Sequence, residues 1–572
     1  MPPFDPQRPW LAAYADGVPA DIDPPDRPLS RMLEASVERF TDRPALDFLG
    51  AATSYRQLGA AVARAAGALH RLGVRPGMRV ALVMPNCPQH VVAFYAVLRL
   101  GGIVVEHNPL YTPDELQVQF ADHDAEVAIC WSTVAGMVAG LGPRVVLSVD
   151  LAAGLPLARR LALKLPVPAA RATRRSLGPV QPPTGTLSWE RTVAEADPLP
   201  AGHPHPDVHD VAALQYTGGT TGTPKGAILT HANLAANTAQ SRAWAPSLVD
   251  GQETFLAVLP LFHAYGLTLC LTTAVSMGAR LVLLPRFDLD QALAAIARTR
   301  PTFLPGVPPI YARLAETAPA RKVDLRSVKV ALSGAMALPP DLVERWEDLT
   351  GGFLIEGYGM TETSPISVGN PVARNRRPGC IGVPYPSTRV RIVDPDDPQR
   401  DVPPGAPGEL LIQGPQVFAG YWNRPAETAA TLLPGGWIRT GDIVEALPDG
   451  FLRMVDRAKD LIITGGFNVY PGEVEDVLRR HPDVADAAVV GIPSADGSEV
   501  VVAAVVARPG ASPDPGALRA HCREHLAGYK TPRRIHLVAD LPRSIIGKAL
   551  HRQVRDQVRE LEAAEAGNSS QP

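Results

Sequence analysis

Cysteine is scarce in this chain. The five present in 572 residues, Cys87, Cys130, Cys270, Cys380 and Cys522, are scattered and unpaired in spacing. That excludes a disulfide framework or a cysteine-based zinc site and fits a reducing compartment. Charge of one sign is not in excess either. Fifty-five basic against 58 acidic residues leave a formal net charge of −3, so the whole-chain balance does not point to nucleic acid. Long hydrophobic runs are missing too. The most apolar stretch, Leu267 to Leu284, is interrupted by Gly278 and Arg280 and reads as a buried helix leading into a strand rather than a membrane span. Met1 to Ser30 is rich in Pro and Asp and has no apolar core, so it is not a secretory signal. These absences predict a cytoplasmic protein, and its length predicts more than one domain.

What is present is an alternation of helical patterns and short apolar strands from about Leu29 to Val149. Ser54-Tyr-Arg-Gln-Leu58 opens an alanine-rich helix, Arg79-Val-Ala-Leu-Val-Met84 reads as a strand, and Gly101-Gly-Ile-Val-Val105 follows another helix. Asn108 to Glu115 supplies a turn and a capped helix start. Such alternation predicts parallel-rich sheets covered by helices on both faces, an α/β architecture. Leu151 to Trp189 differs in character. Arg159, Arg160, Lys164, Arg171, Arg174 and Arg175 stand among leucines. Two readings stand: a basic amphipathic segment resting weakly on an anionic membrane surface, at its cytoplasmic face, or a solvated excursion between subdomains. His203-Pro-His205 with His209 lies among prolines and acids and reads as a solvated linker rather than a metal site.

The chain is organised around Tyr216-Thr217-Gly218-Gly219-Thr220-Thr221-Gly222-Thr223-Pro224-Lys225-Gly226. It follows Val211-Ala-Ala-Leu-Gln215, a buried-strand pattern. Four glycines make unusual backbone angles cheap, so successive N–H groups can surround an anion. Thr217, Thr220, Thr221 and Thr223 add hydroxyl donors and Lys225 a positive charge. This is a polyphosphate-holding loop, and it is not a Walker A loop, whose Gly-Lys-Ser/Thr ending it lacks. The loop resembles that of the acyl-adenylate-forming enzymes, which include acyl-CoA synthetases, firefly luciferase and peptide-synthetase adenylation domains.

Further motifs stand in that family's order across nearly the whole chain. In Glu356-Gly-Tyr358-Gly359-Met-Thr361-Glu362-Thr363, the resemblance implies that Tyr358 with Gly359 stacks on adenine, Thr361 bonds the α-phosphate, and Glu362 is an oxygen ligand for Mg2+. Asp442, in Gly436-Trp-Ile-Arg-Thr440-Gly441-Asp442, matches the acid that accepts from the ribose hydroxyls. Arg457 matches a nucleotide-contacting arginine, and Lys459 the residue whose torsion swings the C-terminal part. Gly465 and Gly466 match the side that opens a path for coenzyme A, and Lys548, in Ile546-Gly547-Lys548, matches the lysine that reaches the carboxylate and phosphate. In Leu259-Pro-Leu-Phe-His263 a lone His on an apolar run reads by itself as a satisfied core residue, whereas the resemblance implies that His263 borders the acyl pocket. Val330-Ala-Leu-Ser-Gly334-Ala335 is a strand running into a turn small enough for an acyl-adenylate to pass the backbone.

The implied organisation is a large N-terminal domain of stacked α/β subdomains (1–456), a hinge (457–460) and a small mobile α+β C-terminal domain (461–572). The closest likeness is to bacterial long- or medium-chain fatty-acyl-CoA synthetases. It implies catalysis by Lys225, Thr361, Glu362 and Lys548, with ATP, Mg2+ and coenzyme A required, a fatty acid as substrate, and a homodimer in view. Two rivals remain: a fatty-acyl-AMP ligase that loads a carrier protein, and a non-catalytic fatty-acid uptake or binding partner. A peptide-synthetase module would normally continue into a carrier domain.

Overall fold

The computed structural model describes residues 8–179, 181–217, 224–457, 460, 462–464, 467–469, 471–493, 499–526, 528–543 and 549–568. Local signals place the first elements as the sequence predicts. Ser54 Oγ accepts from the Gln57 N–H to cap the helix Tyr55–Arg71, and the Ser54 N–H donates to Gln57 Oε1, a complete capping box. Thr112 and Glu115 do the same for the helix Pro113–His123. Leu267 to Leu284 is buried: a π-helical turn Leu267–Thr272 and a helical turn Thr273–Ser276 lead to the strand Arg280–Leu283. Among the described residues no helix is long and apolar enough to cross a membrane.

The chain divides into two compact units, Met1–Arg389 with Ile412–Ile438, and Val390–Leu411 with Arg439–Pro572. In the first unit lie two large mixed sheets rich in parallel pairs. One has eight strands. Its parallel part runs from Leu187–Ser188 through Val145–Val149, Val127–Trp131, Arg79–Val83 and Ile103–His107 to Val211–Thr217. Lys225–Thr230 and Gly420–Tyr421 then add antiparallel. The strands' interiors are near-continuous apolar runs, as sheets covered on both faces require. Val80, Ala81, Leu82, Val104, Val105 and Ile129 are almost wholly buried.

The other sheet has nine strands. Thr254–Ala257 pairs in parallel with Arg280–Leu283 on one side and with Phe303–Gly306 on the other. Val330–Ser333 and Phe353–Gly359 continue in parallel from there. Successive connections therefore leave Thr254–Ala257 in opposite directions, which makes a switch point. Crevices beyond the carboxyl ends of strands at such points are the usual ligand sites of open α/β sheets.

The second unit ends in a three-stranded sheet, with Val484–Pro493 antiparallel to Glu499–Ala507 and Arg534–Leu537 parallel to the latter. Alternate residues of Val484–Pro493 face opposite ways, as a period of two demands. Ala487 and Val489 pack with Val474, Leu478, Leu518 and Cys522 from the helices Pro471–Arg479 and Pro515–His525. Ala488 and Val490 pack with Val554 and Val558 of the last helix, His551–Asn568. This is the smaller α+β assembly expected of the C-terminal part.

One linker reading needs correction. The His203–His205 tract is not simply solvated, because Arg99, itself buried, donates to the carbonyls of His203 (2.8 Å) and Pro204 (2.9 Å), and His205 Nδ1 lies 3.1 Å from Ser30 Oγ. These two bonds, with the ion pair from Arg99 Nε to Glu34 Oε1 (3.2 Å), satisfy the guanidinium, and the tract becomes a packed seam.

Candidate active site

The neighbouring parallel strands Phe303–Gly306, Val330–Ser333 and Phe353–Gly359 end side by side. Their carboxyl ends carry Gly306, then Gly334 and Ala335 just past Ser333, then Glu356, Tyr358 and Gly359. His263 follows the adjacent strand Thr254–Ala257. One side chain ties these ends together. The buried Tyr265 hydroxyl donates toward the carbonyls of Leu332 (2.6 Å) and Gly306 (3.1 Å). Its backbone N–H donates to His263 Nδ1 (3.2 Å). A Cβ on Gly334 would approach the Tyr265 ring to 3.1 Å, so the glycine admits the ring against the backbone. Ala335 holds a positive φ of 68°, a conformation side-chain-bearing residues rarely adopt. His263 keeps a partly exposed edge, yet burial by the surrounding protein pushes its pKa down to about 4. It is a neutral imidazole near pH 7.

Glycines flank Tyr358 for a packing reason as well as for access. A Cβ on Gly359 would fall 1.9 Å from the Pro365 carbonyl oxygen, and one on Gly357 2.9 Å from Ile366. They let the antiparallel strand Ile366–Gly369 close on this edge, with Tyr358 half-buried opposite Val368. Below Tyr358 the buried Glu356 carboxyl is pushed up to about 8 by burial, and so stays protonated near neutrality.

The turn Thr361–Thr363 follows, and here the two large sheets meet. The segment after Gln416 crosses from one to the other. Ser364 Oγ donates to the Gln416 carbonyl (2.9 Å), the Phe418 N–H donates to the Glu362 carbonyl (2.8 Å), and the Ala419 N–H donates to the Ile228 carbonyl (3.0 Å). Gly420–Tyr421 then pairs with Ile228 and Ala227 of the strand that begins at Lys225. The outcome is a compact polar cluster. The Tyr421 hydroxyl donates to Glu362 Oε1 at 2.7 Å, and the Lys225 ammonium stands 5.3 Å above the Tyr421 ring. Burial, reinforced by the Glu362 carboxylate, holds the Tyr421 phenol protonated. Thr217 lies directly opposite Lys225 across the hairpin, so the two ends of the glycine-rich loop are held together. Glu362, Lys225 and Thr217 are thus brought to one place.

In the second unit, the strands Trp437–Ala446 and Leu452–Arg457 place Asp442 opposite Arg457. Gly441 takes a positive φ of 69°, and its N–H donates to Glu409 Oε1 (3.1 Å). The Asp442 N–H donates to Thr440 Oγ (3.0 Å), so a kinked Thr-Gly step sets the position of this buried acid. Gly218, Gly219, Thr220, Thr221, Gly222, Thr223, Lys459, Gly465, Gly466 and Lys548 lie outside the described residues, as does the side chain of Arg457.

Tyr421 and Tyr265 are the site residues that sequence reasoning missed. Tyr421 sits 59 positions from Glu362 in the chain, on a two-residue strand without a periodic signature. A glycine-and-aromatic run, Gly414 to Trp422, was its only trace.

Comparison with known proteins places the chain in a family. The AMP-binding enzyme family matches residues 33–422, and the AMP-binding enzyme C-terminal domain matches residues 473–548. The chain is 37% identical over 556 residues to a long-chain-fatty-acid–CoA ligase of Bacillus subtilis, covering 96% of this chain and 98% of that protein. It is 36% identical over 509 residues to a feruloyl-CoA synthase of Amycolatopsis, covering 88% and 94%. Among solved structures, ATP-bound MatB from Rhodopseudomonas palustris superposes with a TM-score of 0.80 at 29% identity, over 93% of this chain and 99% of that one. An anthranilate CoA ligase, AuaEII, in complex with anthranoyl-AMP gives 0.79 at 25% identity, over 95% and 99%.

Proposed function

Since this chain belongs to the AMP-binding enzyme family, we propose that it is an ATP-dependent fatty acid–CoA ligase working through an acyl-adenylate. The observation that carries the reading is the Lys225–Tyr421–Glu362 cluster at the foot of the glycine-rich loop, in a chain that matches long-chain-fatty-acid–CoA ligases over almost its full length.

A carboxylate is a poor electrophile, because its leaving oxygen is strongly basic. In the first half-reaction the fatty-acid carboxylate, already ionised, attacks the α-phosphorus of ATP in line and expels pyrophosphate. In the second, the coenzyme A thiolate attacks the acyl carbon and AMP departs. No side chain has to act as general base in the first step, so the protein contributes position and electrostatics. Lys225 and the loop N–H groups take the β- and γ-phosphates, Thr361 donates to the α-phosphate, and Tyr358 stacks on adenine. Asp442 accepts from the ribose hydroxyls, with Arg457 on the nucleotide. Lys548 neutralises charge on the five-coordinate phosphorus.

The carboxylate Glu362, oriented by Tyr421, is a hard oxygen donor that fits Mg2+, whose charge would offset that of the polyphosphate. The neutral His263, Gly334 and Ala335 border the acyl channel. We place the hinge of a mobile C-terminal domain at 457–460, with Lys459 as its pivot and Gly465 and Gly466 on the coenzyme A path.

A peripheral membrane contact for Leu151 to Trp189 belongs to this reading. Leu157, Leu161, Leu165 and Val167 are all exposed there, between 45% and 69%. They lie on and between the helices Leu157–Ala162 and Pro168–Leu177, interleaved in sequence with Arg159, Arg160, Lys164, Arg171, Arg174 and Arg175. Exposed apolar side chains interleaved with cations suit an anionic lipid surface that supplies the acid.

The test is pyrophosphate and AMP release over carboxylic acids of graded length, with and without coenzyme A. Efficiency should climb with chain length at roughly 0.8 kcal/mol per buried methylene, and acyl-CoA should form only with coenzyme A present. Preference for feruloyl- or benzoyl-type acids would transfer the assignment to the aromatic-acid branch. Release without acyl-CoA formation would favour carrier loading.

A further inference from the structure

The helix Pro515–His525 carries a side-chain cluster that the adenylation chemistry does not use. His521, Glu524 and His525 share one face of it, being three and four residues apart. One ligand atom from each lies within 4.8 Å of the others, and among the described residues no other group of three histidines, cysteines or acids is so placed. The two imidazole rings stand 4.6 Å apart.

The rings are already oriented. His521 Nε2 donates to the Val477 carbonyl (3.1 Å), and His525 Nδ1 donates to the His521 carbonyl (2.9 Å). A carbonyl only accepts, so in the neutral form of each ring these bonds fix the tautomer and put the free lone pairs on His521 Nδ1 and His525 Nε2. Metal-ligating histidines are held in the same manner, the second ring nitrogen bonded to a carbonyl or carboxylate. A third imidazole, His481, meets His521 edge-on at 5.3 Å. Its Nδ1 accepts the Asp483 N–H (3.3 Å), which keeps it outside the donor set.

We propose that His521, Glu524 and His525 form a surface site for a borderline divalent transition ion such as Zn2+. Two imidazoles and one carboxylate suit Zn2+, Ni2+ or Cu2+ and do not suit Mg2+, which prefers oxygen. Because His521 also holds the Val477 carbonyl, an ion here stiffens the last turn of this helix against the helix Pro471–Arg479.

The experiment is calorimetric titration of Zn2+ into the full-length protein in excess Mg2+, for wild type and for His525→Gln, Glu524→Gln and His481→Gln. The expected result is one Zn2+ per chain, weakened about tenfold or more by His525→Gln, weakened also by Glu524→Gln, and unchanged by His481→Gln. His525 and Glu524 are exposed, so both variants should fold, which thermal unfolding without Zn2+ verifies. Absence of saturable binding in wild type, equal affinity in wild type and His525→Gln, or a loss in His481→Gln as large as in His525→Gln would overturn the site.

Discussion

Tyr421→Phe removes one hydroxyl and nothing else from the cluster at the glycine-rich loop. The ring stays, with its edge contact to Phe418 (centroids 4.8 Å) and its place beneath the Lys225 ammonium. The backbone remains paired with Ala227, so the strand should not shift. What is lost is a buried hydrogen bond of 2.7 Å to Glu362 Oε1. A bond to a charged acceptor contributes about 1.5–3 kcal/mol. At about 1.4 kcal/mol per factor of ten, the full loss corresponds to a roughly 10- to 150-fold slower adenylation. If Glu362 acts by holding the metal, part of the loss should return when Mg2+ is raised. Thioester formation from supplied acyl-AMP should be spared, because it needs no polyphosphate ligand. The assay is pyrophosphate release at several Mg2+ concentrations, beside transfer from synthetic acyl-AMP. Adenylation within twofold of wild type at every Mg2+ concentration would refute the positioning role.

Lys548→Ala removes one preorganised donor and should cost about 2.7–4 kcal/mol of transition-state stabilisation in adenylation. Transfer from supplied acyl-AMP should survive, and equal losses in both halves would contradict the assignment. Glu356, protonated with a pKa of about 8 in the fold because it is buried, holds a proton that the unfolded chain releases near the ordinary glutamate value. Stability should therefore fall as pH rises from roughly 4.5 toward 8, by up to about 1.4 kcal/mol per pH unit. Glu356→Gln should flatten that decline in calorimetric scans. His551 has the same sign of pH dependence from a different cause, since here the charged form is the one favoured. Burial opposes its charge, but hydrogen bonds to Asp460 and Glu475 prevail and hold its pKa near 10. Its contribution is complete below about 6.5 and is lost as pH rises to about 10, so His551→Gln should lower the melting temperature at pH 7 and lessen the alkaline loss. Replacing Arg159, Arg160, Lys164, Arg171, Arg174 and Arg175 by Gln should abolish sedimentation with anionic vesicles, each cation being worth about 1 kcal/mol at such a surface. Turnover of a soluble medium-chain acid should be unchanged.

Much of this molecule was legible because its signals are local. Ser54 with Gln57, and Thr112 with Glu115, announce helix starts within four residues. Continuous apolar runs such as Val80–Val83 require burial on both faces, which is enough to predict parallel-rich sheets. The glycine-rich loop and the Glu356–Thr363 motif showed which chemistry to expect. What stayed hidden depends on contacts between distant parts of the chain. The Tyr421 bond to Glu362 exists only because a two-residue strand joins the edge of the eight-stranded sheet. Tyr265 reads in sequence as one more core aromatic, and its two carbonyl partners become visible only once three strand ends are side by side. Gly359 suggested room for adenine, whereas the sharper constraint on it is the Pro365 carbonyl. The packing of His203–His205 depends on Arg99, about a hundred residues earlier, and no local pattern encodes that.

The central claim is that the carboxylate attacks the α-phosphorus and the acyl-adenylate is on the path to the thioester. Turnover of a fatty acid labelled with 18O in both carboxylate oxygens, with ATP and coenzyme A, tests it most directly. Mass spectrometry of the products should find one 18O in AMP, one in the acyl-CoA carbonyl and none in pyrophosphate. Label in a product other than AMP and acyl-CoA, or formation of ADP with labelled orthophosphate, would contradict it.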